Sequence, residues 1–175
     1  MADTRSKRDE LYEEAAASCG AALDRLTRAY EPDPDRRRDL LQEIHVALWR
    51  SLESFEGRCS LKTWVYRIAH NTATSVVIRR NTKAPSFVDL DEVEASPQNG
   101  HDQILDHQES LDRIWALIHR LKPHDKQVIL LYMEGMDAAS IGEITGFSPG
   151  NVATKIHRIK NVLSRKFNHG ERRAK

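Results

Sequence analysis

Five side chains near the carboxyl end carry the clearest chemical signal: Thr154, His157, Arg158, Asn161 and Arg165. On a helix turning about 100° per residue they share one side, while Val152, Ile156, Ile159 and Leu163 occupy the other. Hydroxyl, imidazole, amide and guanidinium groups in one row suit base edges and phosphates in a major groove. Residues 149–175 hold eight Lys or Arg against one Glu, a local +7 that favours a polyanion through counterion release. A basic helix alone is more often an ordinary solvated face. The preceding residues decide for DNA. Residues 137–145 read as a short helix with small residues on one side, Gly146 permits a tight turn, and Phe147 can fill the angle between two helices. Ser148 then serves as N-cap and Pro149 as first helical residue. This is a helix-turn-helix, with Ser148, Asn151, Thr154, Lys155, His157, Arg158 and Arg165 as candidate DNA contacts.

Charge is segregated a second time. Residues 57–83 contain Arg58, Lys62, Arg67, Arg79, Arg80 and Lys83 and no acid. Trp64 and Tyr66 are interleaved, and His70 and Asn71 follow. Cations beside stackable and hydrogen-bonding side chains suit single-stranded DNA. Trp64 taken alone is more often a core residue than a stacking platform. Upstream, Asp39, Gln42 and Glu43 form the polar side of a helix, either a docking face or an ordinary solvated one.

The elements that must position these groups are helices. The pattern predicts them over 8–29, 34–53 and 61–80, from about 104, from Pro123 to near Gly135, and over 137–145 and 149–168. The first draws on Ala15, Ala16, Ala17, Ala21, Ala22, Leu23 and Leu26. Leu41, Ile44, Leu48 and Leu52 define the inward stripe of the second, and Leu61, Val65, Ile68, Thr72 and Val76 that of the third. Leu111, Ile114, Trp115, Ile118 and Leu121 mark the fourth. Pro32 and Pro34 break the chain between the first two, and Ser60 is placed to cap the third. Residues 84–103 lose the helical period, and 84–112 carry eight Asp or Glu with no Lys or Arg, which reads as a flexible acidic linker. No strand and no internal repeat emerges. The expected fold is all-α: two small helical domains, 1–83 and 104–170, joined by the linker 84–103, the second a helix-turn-helix, with a basic tail at 171–175.

Composition narrows the function further. Over 175 residues the net charge is +1, so the partner preference lies in the distribution of charge rather than its sum. Only 6% of residues are aromatic, so the cores rest on Leu, Ile, Val and Ala. Cys19 and Cys59 form no C-x-x-C motif and no zinc spacing, so a disulfide framework is not expected. No apolar run approaches a membrane span, and the charged amino terminus is unlike a signal peptide, so a cytoplasmic protein without membrane insertion is expected. An enzyme should show a convergent reactive constellation. The segment Gly57 to Thr63 superficially resembles a phosphate loop, but Leu61 stands where the second glycine is required. The eight histidines are scattered. No catalytic residue, metal or cofactor is expected.

Taken together, the motifs carry a family resemblance. Asp39-Leu40-Leu41-Gln42-Glu43-Ile44, Leu48-Trp49, Phe55 and Leu61 through Asn71 resemble the first conserved domain of the extracytoplasmic-function (ECF) group of sigma-70-type factors. Leu121-Lys122-Pro123, Gly135, Ile141 through Gly146, Ser148 through Val152, His157-Arg158 and Leu163 resemble the second. The resemblance implies a factor that binds RNA polymerase core and directs promoter recognition. Asp39, Gln42 and Glu43 would grip the clamp coiled coil of the largest subunit. Arg58, Lys62, Trp64, Arg67, Asn71, Arg79 and Arg80 would hold and help melt the −10 element. The helix-turn-helix residues above would read the −35 element, beside the polymerase subunit that contacts that domain. The acidic linker would run toward the RNA exit path, and an anti-sigma factor is a usual partner. The chain departs from the family where Arg36-Arg37-Arg38 replaces an acidic cluster, where Ser75 replaces an acid and where Asn151 replaces a threonine. Asp33 and Asp35 are expected to compensate in part for that cluster, or core affinity is low and regulated. The competing reading is a dimeric transcriptional regulator that uses the same helix-turn-helix on a palindromic site. A protein that merely sequesters polymerase fits less well, because both basic surfaces would then lack a purpose.

Overall fold

A computed structural model of the chain describes residues 7–80 and 107–171, with side chains described at 7–80 and 111–165. Its helices are α1 (Lys7–Tyr30), α2 (Pro34–Ser51), a 3-10 turn (Leu52–Ser54), α3 (Leu61–Arg80), α4 (His107–Arg120), α5 (Pro123–Met133), α6 (Ala138–Thr145) and α7 (Pro149–Glu171). The fold is all-α and falls into two compact units, one built on α1–α3, the other on α4, α5, α7 and the start of α6. The linker expected over 84–103 lies outside the described residues, as does the tail beyond Glu171.

Local chemistry sets the helix ends. Asp33 caps α2, its carboxylate accepting from the backbone N–H of Asp35 (3.0 Å) and Arg36 (2.9 Å), with Pro34 in the first turn. The Arg36 bond is the main cause that holds the Asp33 carboxyl below its ordinary range. Arg37 donates to the carbonyls of Glu31 (3.2 Å) and Pro32 (2.9 Å), satisfying acceptors left open where α1 stops. Ser60 caps α3 as expected, its hydroxyl accepting from the Thr63 N–H at 3.0 Å. After α5, Gly135 takes φ +76° and donates to the Tyr132 carbonyl at 3.0 Å, while Met136 donates to Leu131 at 3.2 Å.

In the first unit each helix packs on the other two. The core comprises Ala15, Cys19, Ala22, Leu23 and Leu26 of α1, Leu40, Ile44, Leu48 and Leu52, and Val65, Tyr66, Ala69, Ala73 and Val76 of α3. Two expected stripes are corrected. Leu40, not Leu41, is sealed in the core, because α2 faces two neighbours and its row at intervals of four points between them. On α3, Leu61, Ile68 and Thr72 are only half-buried, while Tyr66, Ala69, His70, Ala73 and Val77 are inside. The small Ala69 and Ala73 let neighbouring helices approach, so close packing overrides the row of largest apolar residues. On α1, Ala17 and Ala21 face outward and serve helix propensity rather than the core.

Burial of His70 is compensated by a polar cluster. Its Nδ1 lies 3.2 Å from the Tyr30 hydroxyl, the rings meeting edge-on at 5.9 Å, and Thr74 donates to the same hydroxyl at 3.5 Å. Burial drives the His70 pKa down to about 3 and the Tyr30 pKa up to about 12, so both are neutral across the physiological range.

In the second unit Leu121, Ile129, Ile159 and Val162 form a cluster, with Leu117 and Leu163 packed against it. Val152 and Ile159 are buried as expected, whereas Ile156 and Leu163 are half-buried and Val162 takes an interior place. On α4 only Ile118 of the expected stripe is fully buried, followed by Leu121 just past the helix; Leu111 is exposed. Lys126 is buried too and donates to the His119 carbonyl at 3.1 Å; burial lowers its pKa to about 8.

Candidate nucleic-acid interface

The helix-turn-helix is built from short-range contacts. Asp137 caps α6 by accepting from the Ser140 N–H at 2.8 Å, the bond chiefly responsible for a carboxyl pKa below the usual range. A Cβ on Gly142 would lie 2.7 Å from the Phe147 carbonyl oxygen, so the turn packs directly on the α6 backbone and only glycine fits unshifted. Gly146 makes that turn with φ +79°. Ser148 then starts α7, its hydroxyl accepting from the Asn151 N–H at 3.3 Å and its carbonyl from Val152 at 3.0 Å.

These contacts aim α7. Asn151, Thr154, His157, Arg158, Lys160, Asn161 and Arg165 are exposed. His157 Nε2 lies 3.0 Å from Asn161 Nδ2, joining imidazole and amide one turn apart. Thr154 donates to the Gly150 carbonyl at 2.9 Å, which fixes its hydroxyl on the helix surface. Lys155 is different. Its ammonium sits 2.6 Å from Asp125 of α5 and 5.3 Å from the centre of the Phe147 ring. The Asp125 side chain is only 7% exposed. Lys155, a candidate DNA contact from its position in the basic run, is thus paired with α5. Lys160, absent from the sequence candidates, lies 5.3 Å over the Tyr132 ring and donates to its hydroxyl at 3.3 Å.

In the first unit the loop before α3 is pinned by Trp64. Its indole N–H donates to the Ser51 hydroxyl at 3.0 Å, and its ring lies 5.4 Å from Phe55, tilted by 60°. Gly57 turns the loop with φ +74°. Arg58 is exposed and pairs with Glu56 at 2.6 Å; Lys62 lies 5.7 Å over the Tyr66 ring; Asn71 is exposed further along α3. Arg67 lies between them on the same helix. At the end of α3, Arg79 reaches Glu43 at 3.0 Å, while Arg80 lies 3.5 Å from Glu43, 3.8 Å from Glu31 and 3.5 Å from the Arg36 carbonyl. The geometry thus brings together a residue expected to meet polymerase and two expected to meet DNA.

On α2, Asp39 and Gln42 are exposed and Glu43 half-buried. Val46 and Trp49, exposed by 43% and 38%, continue the Asp39–Gln42 row and were missed in the sequence reading. Their spacing of four and seven residues beyond Gln42 was a readable signal. The Arg8 guanidinium covers one face of Trp49 at 3.5 Å. Asp33 and Asp35, expected to stand in for the missing acidic cluster, are engaged locally: Asp33 in the cap and Asp35 with Arg38 at 2.6 Å. Among the described residues no group of His, Cys, Asp and Glu is arranged to hold a metal, and no helix is long and apolar enough to cross a membrane.

Comparison with known proteins agrees with this architecture. Residues 16–83 match Sigma-70 region 2, and residues 111–163 match Sigma-70, region 4. An ECF RNA polymerase sigma-E factor of Haemophilus influenzae is 31% identical over 138 residues, spanning 74% of this chain and 73% of that protein. Its counterpart in Escherichia coli K12 is 28% identical over 150 residues, 81% of this chain and 78% of the relative. Among solved structures, the sigma factor RpoE of Bartonella quintana, held in complex with the anti-sigma factor NepR, matches with a TM-score of 0.63 at 20% identity, covering 90% of this chain and 96% of that one. CnrH, in complex with the cytosolic domain of CnrY, matches with a TM-score of 0.62 at 19% identity, covering 90% and 88%.

Proposed function

The chain belongs to the ECF group of sigma-70 family RNA polymerase sigma factors, and from that premise we propose how its two units divide the work. As a sigma factor it binds core polymerase and takes part in promoter recognition; it is not an enzyme. The first unit, residues 1–83, docks on the clamp coiled coil of the largest subunit through Asp39, Gln42 and Glu43. It holds the −10 element through Arg58, Lys62, Arg67, Asn71, Arg79 and Arg80, with Trp64 keeping the loop before α3 in place. The second unit, residues 104–170, reads the −35 element through Ser148, Asn151, Thr154, His157, Arg158 and Arg165, with Lys155 acting from behind. Residues 84–103 link the two and run toward the RNA exit path.

The observation that carries this reading is the outward row on α7. Its amide, hydroxyl, imidazole and guanidinium groups stand on a helix held by a glycine turn and a part-buried ion pair. An anti-sigma protein covering both basic surfaces is proposed as the regulator, supported by the anti-sigma complex of the similarly folded RpoE. The test is footprinting of holoenzyme on its promoters. Arg158→Ala should weaken binding by about 1–3 kcal/mol and relax base preference at the upstream element alone. Asn71→Ala should impair opening at the downstream element alone. Loss of both elements with either variant would refute the division.

A further inference from the structure

Glu43 occupies an unusual position among the proposed contacts. Its two carboxylate oxygens face different guanidiniums, Oε2 at 3.0 Å from Arg79 and Oε1 at 3.5 Å from Arg80. Arg80 is further tied to Glu31 and to the Arg36 carbonyl, and its side chain is 30% exposed. Arg79 is held by Glu43 and is 70% exposed. The carboxylate itself is 40% exposed, open to a group arriving from outside along α2. One acid therefore neutralises part of the cationic end of α3 while belonging to the row Asp39, Gln42 and Glu43 that is proposed to dock on polymerase.

We infer that Glu43 is an exchangeable counter-ion: in the free protein it holds Arg79 back from nucleic acid, and a cationic group of core polymerase that engages Glu43 releases Arg79 to a phosphate. The inference rests on the proposed roles of the α2 row and of Arg79. Its physical basis is competition. A solvent-exposed ion pair is weak, so an incoming cation or phosphate can replace either partner. Two cations drawn to one carboxylate also repel each other, which makes polymerase docking and Arg79 release favour one another reciprocally. Arg80, held from three sides, is released less readily than Arg79. The free protein thereby binds single-stranded DNA less tightly than it does once core has engaged Glu43.

The test uses the full-length free protein and a fluorescent single-stranded oligothymidylate, read by anisotropy at several salt concentrations. Glu43→Gln should tighten binding about 1.5–5-fold, the range of a surface pair. It should also steepen the slope of log K against log salt by about 0.7, the share of one further phosphate on a single strand. Arg79→Gln alone should change binding little, because Glu43 already holds Arg79, and adding it to Glu43→Gln should abolish the gain. Asp24→Asn removes an exposed acid of α1 and controls for net charge. No gain with Glu43→Gln, or an equal gain with Asp24→Asn, overturns the inference. If the gain of Glu43→Gln survives the addition of Arg79→Gln, what fails is the proposed DNA contact of Arg79, and the counter-ion role falls with it.

Discussion

The buried His70 makes the stability of the first unit sensitive to acid. Its imidazole is 2% exposed, and burial lowers its pKa from 6.5 to about 3. In the unfolded chain it titrates near 6.5. Between these values the unfolded state binds one more proton than the folded state, so stability falls as pH falls. The contribution is fully present above pH 6.5 and declines by about 1.4 kcal/mol per pH unit toward pH 3. At pH 4.5 the loss from this group is about 3 kcal/mol, a large part of what a small domain has. The Tyr30 hydroxyl beside it acts at the other end of the scale: raised to about 12, it favours the fold until pH rises through 10 toward 12. Urea unfolding followed by tryptophan fluorescence at pH 7.0, 5.5 and 4.5 measures the effect. His70→Asn should be less stable than wild type at pH 7.0 but should lose less on acidification, the two curves converging by about 2–3 kcal/mol. Parallel curves down to pH 4.5 would show that His70 protonates without opening the core, and the reasoning would fail.

Other perturbations follow from the same contacts. Lys155→Met strands the Asp125 carboxylate and should cost about 3 kcal/mol in urea unfolding, while Asp125→Leu added to it should recover most of the loss; a single variant as stable as wild type would return Lys155 to the DNA face. Gly142→Ala forces the α6–α7 turn apart and should cost about 1–3 kcal/mol in thermal unfolding. By contrast, Gly150→Ala, which meets nothing within 4 Å, should be neutral or stabilising by about 0.5 kcal/mol. Changing Arg36 and Arg38 together to Glu should tighten core binding several-fold in a competition assay, whereas Arg37→Glu should first lower stability, because Arg37 closes the α1 carbonyls.

Much of the fold was legible because its determinants are local. Ser60, Ser148-Pro149, Pro123 and Gly135 mark helix ends through bonds spanning three or four residues, and the structure places helix ends at or beside each. The all-α architecture and the helix-turn-helix pair follow from those marks and from 3.6-residue periodicity. Side-chain roles that depend on distant partners were less legible. Leu40 and Leu41 are equal as letters, and only the placing of α1 and α3 around α2 selects Leu40. His70 is read as a polar residue after a basic run until Tyr30, 40 residues earlier, closes over it. Lys155 sits in a cationic segment, and nothing near it in sequence announces Asp125, 30 residues away. The same holds for Glu43, whose link to Arg79 and Arg80 depends on α2 and α3 lying side by side.

The central claim is that this chain programs polymerase through two separate DNA-reading units. It is tested most directly by transcription in vitro with purified protein, sigma-free core polymerase and a library of genomic upstream fragments. Defined start sites should appear only when both proteins are present, and should share two conserved elements, the upstream one lost with Arg158→Ala. Start sites that arise without the protein, or a protein that binds DNA alone as a dimer and never redirects core polymerase, would contradict the account.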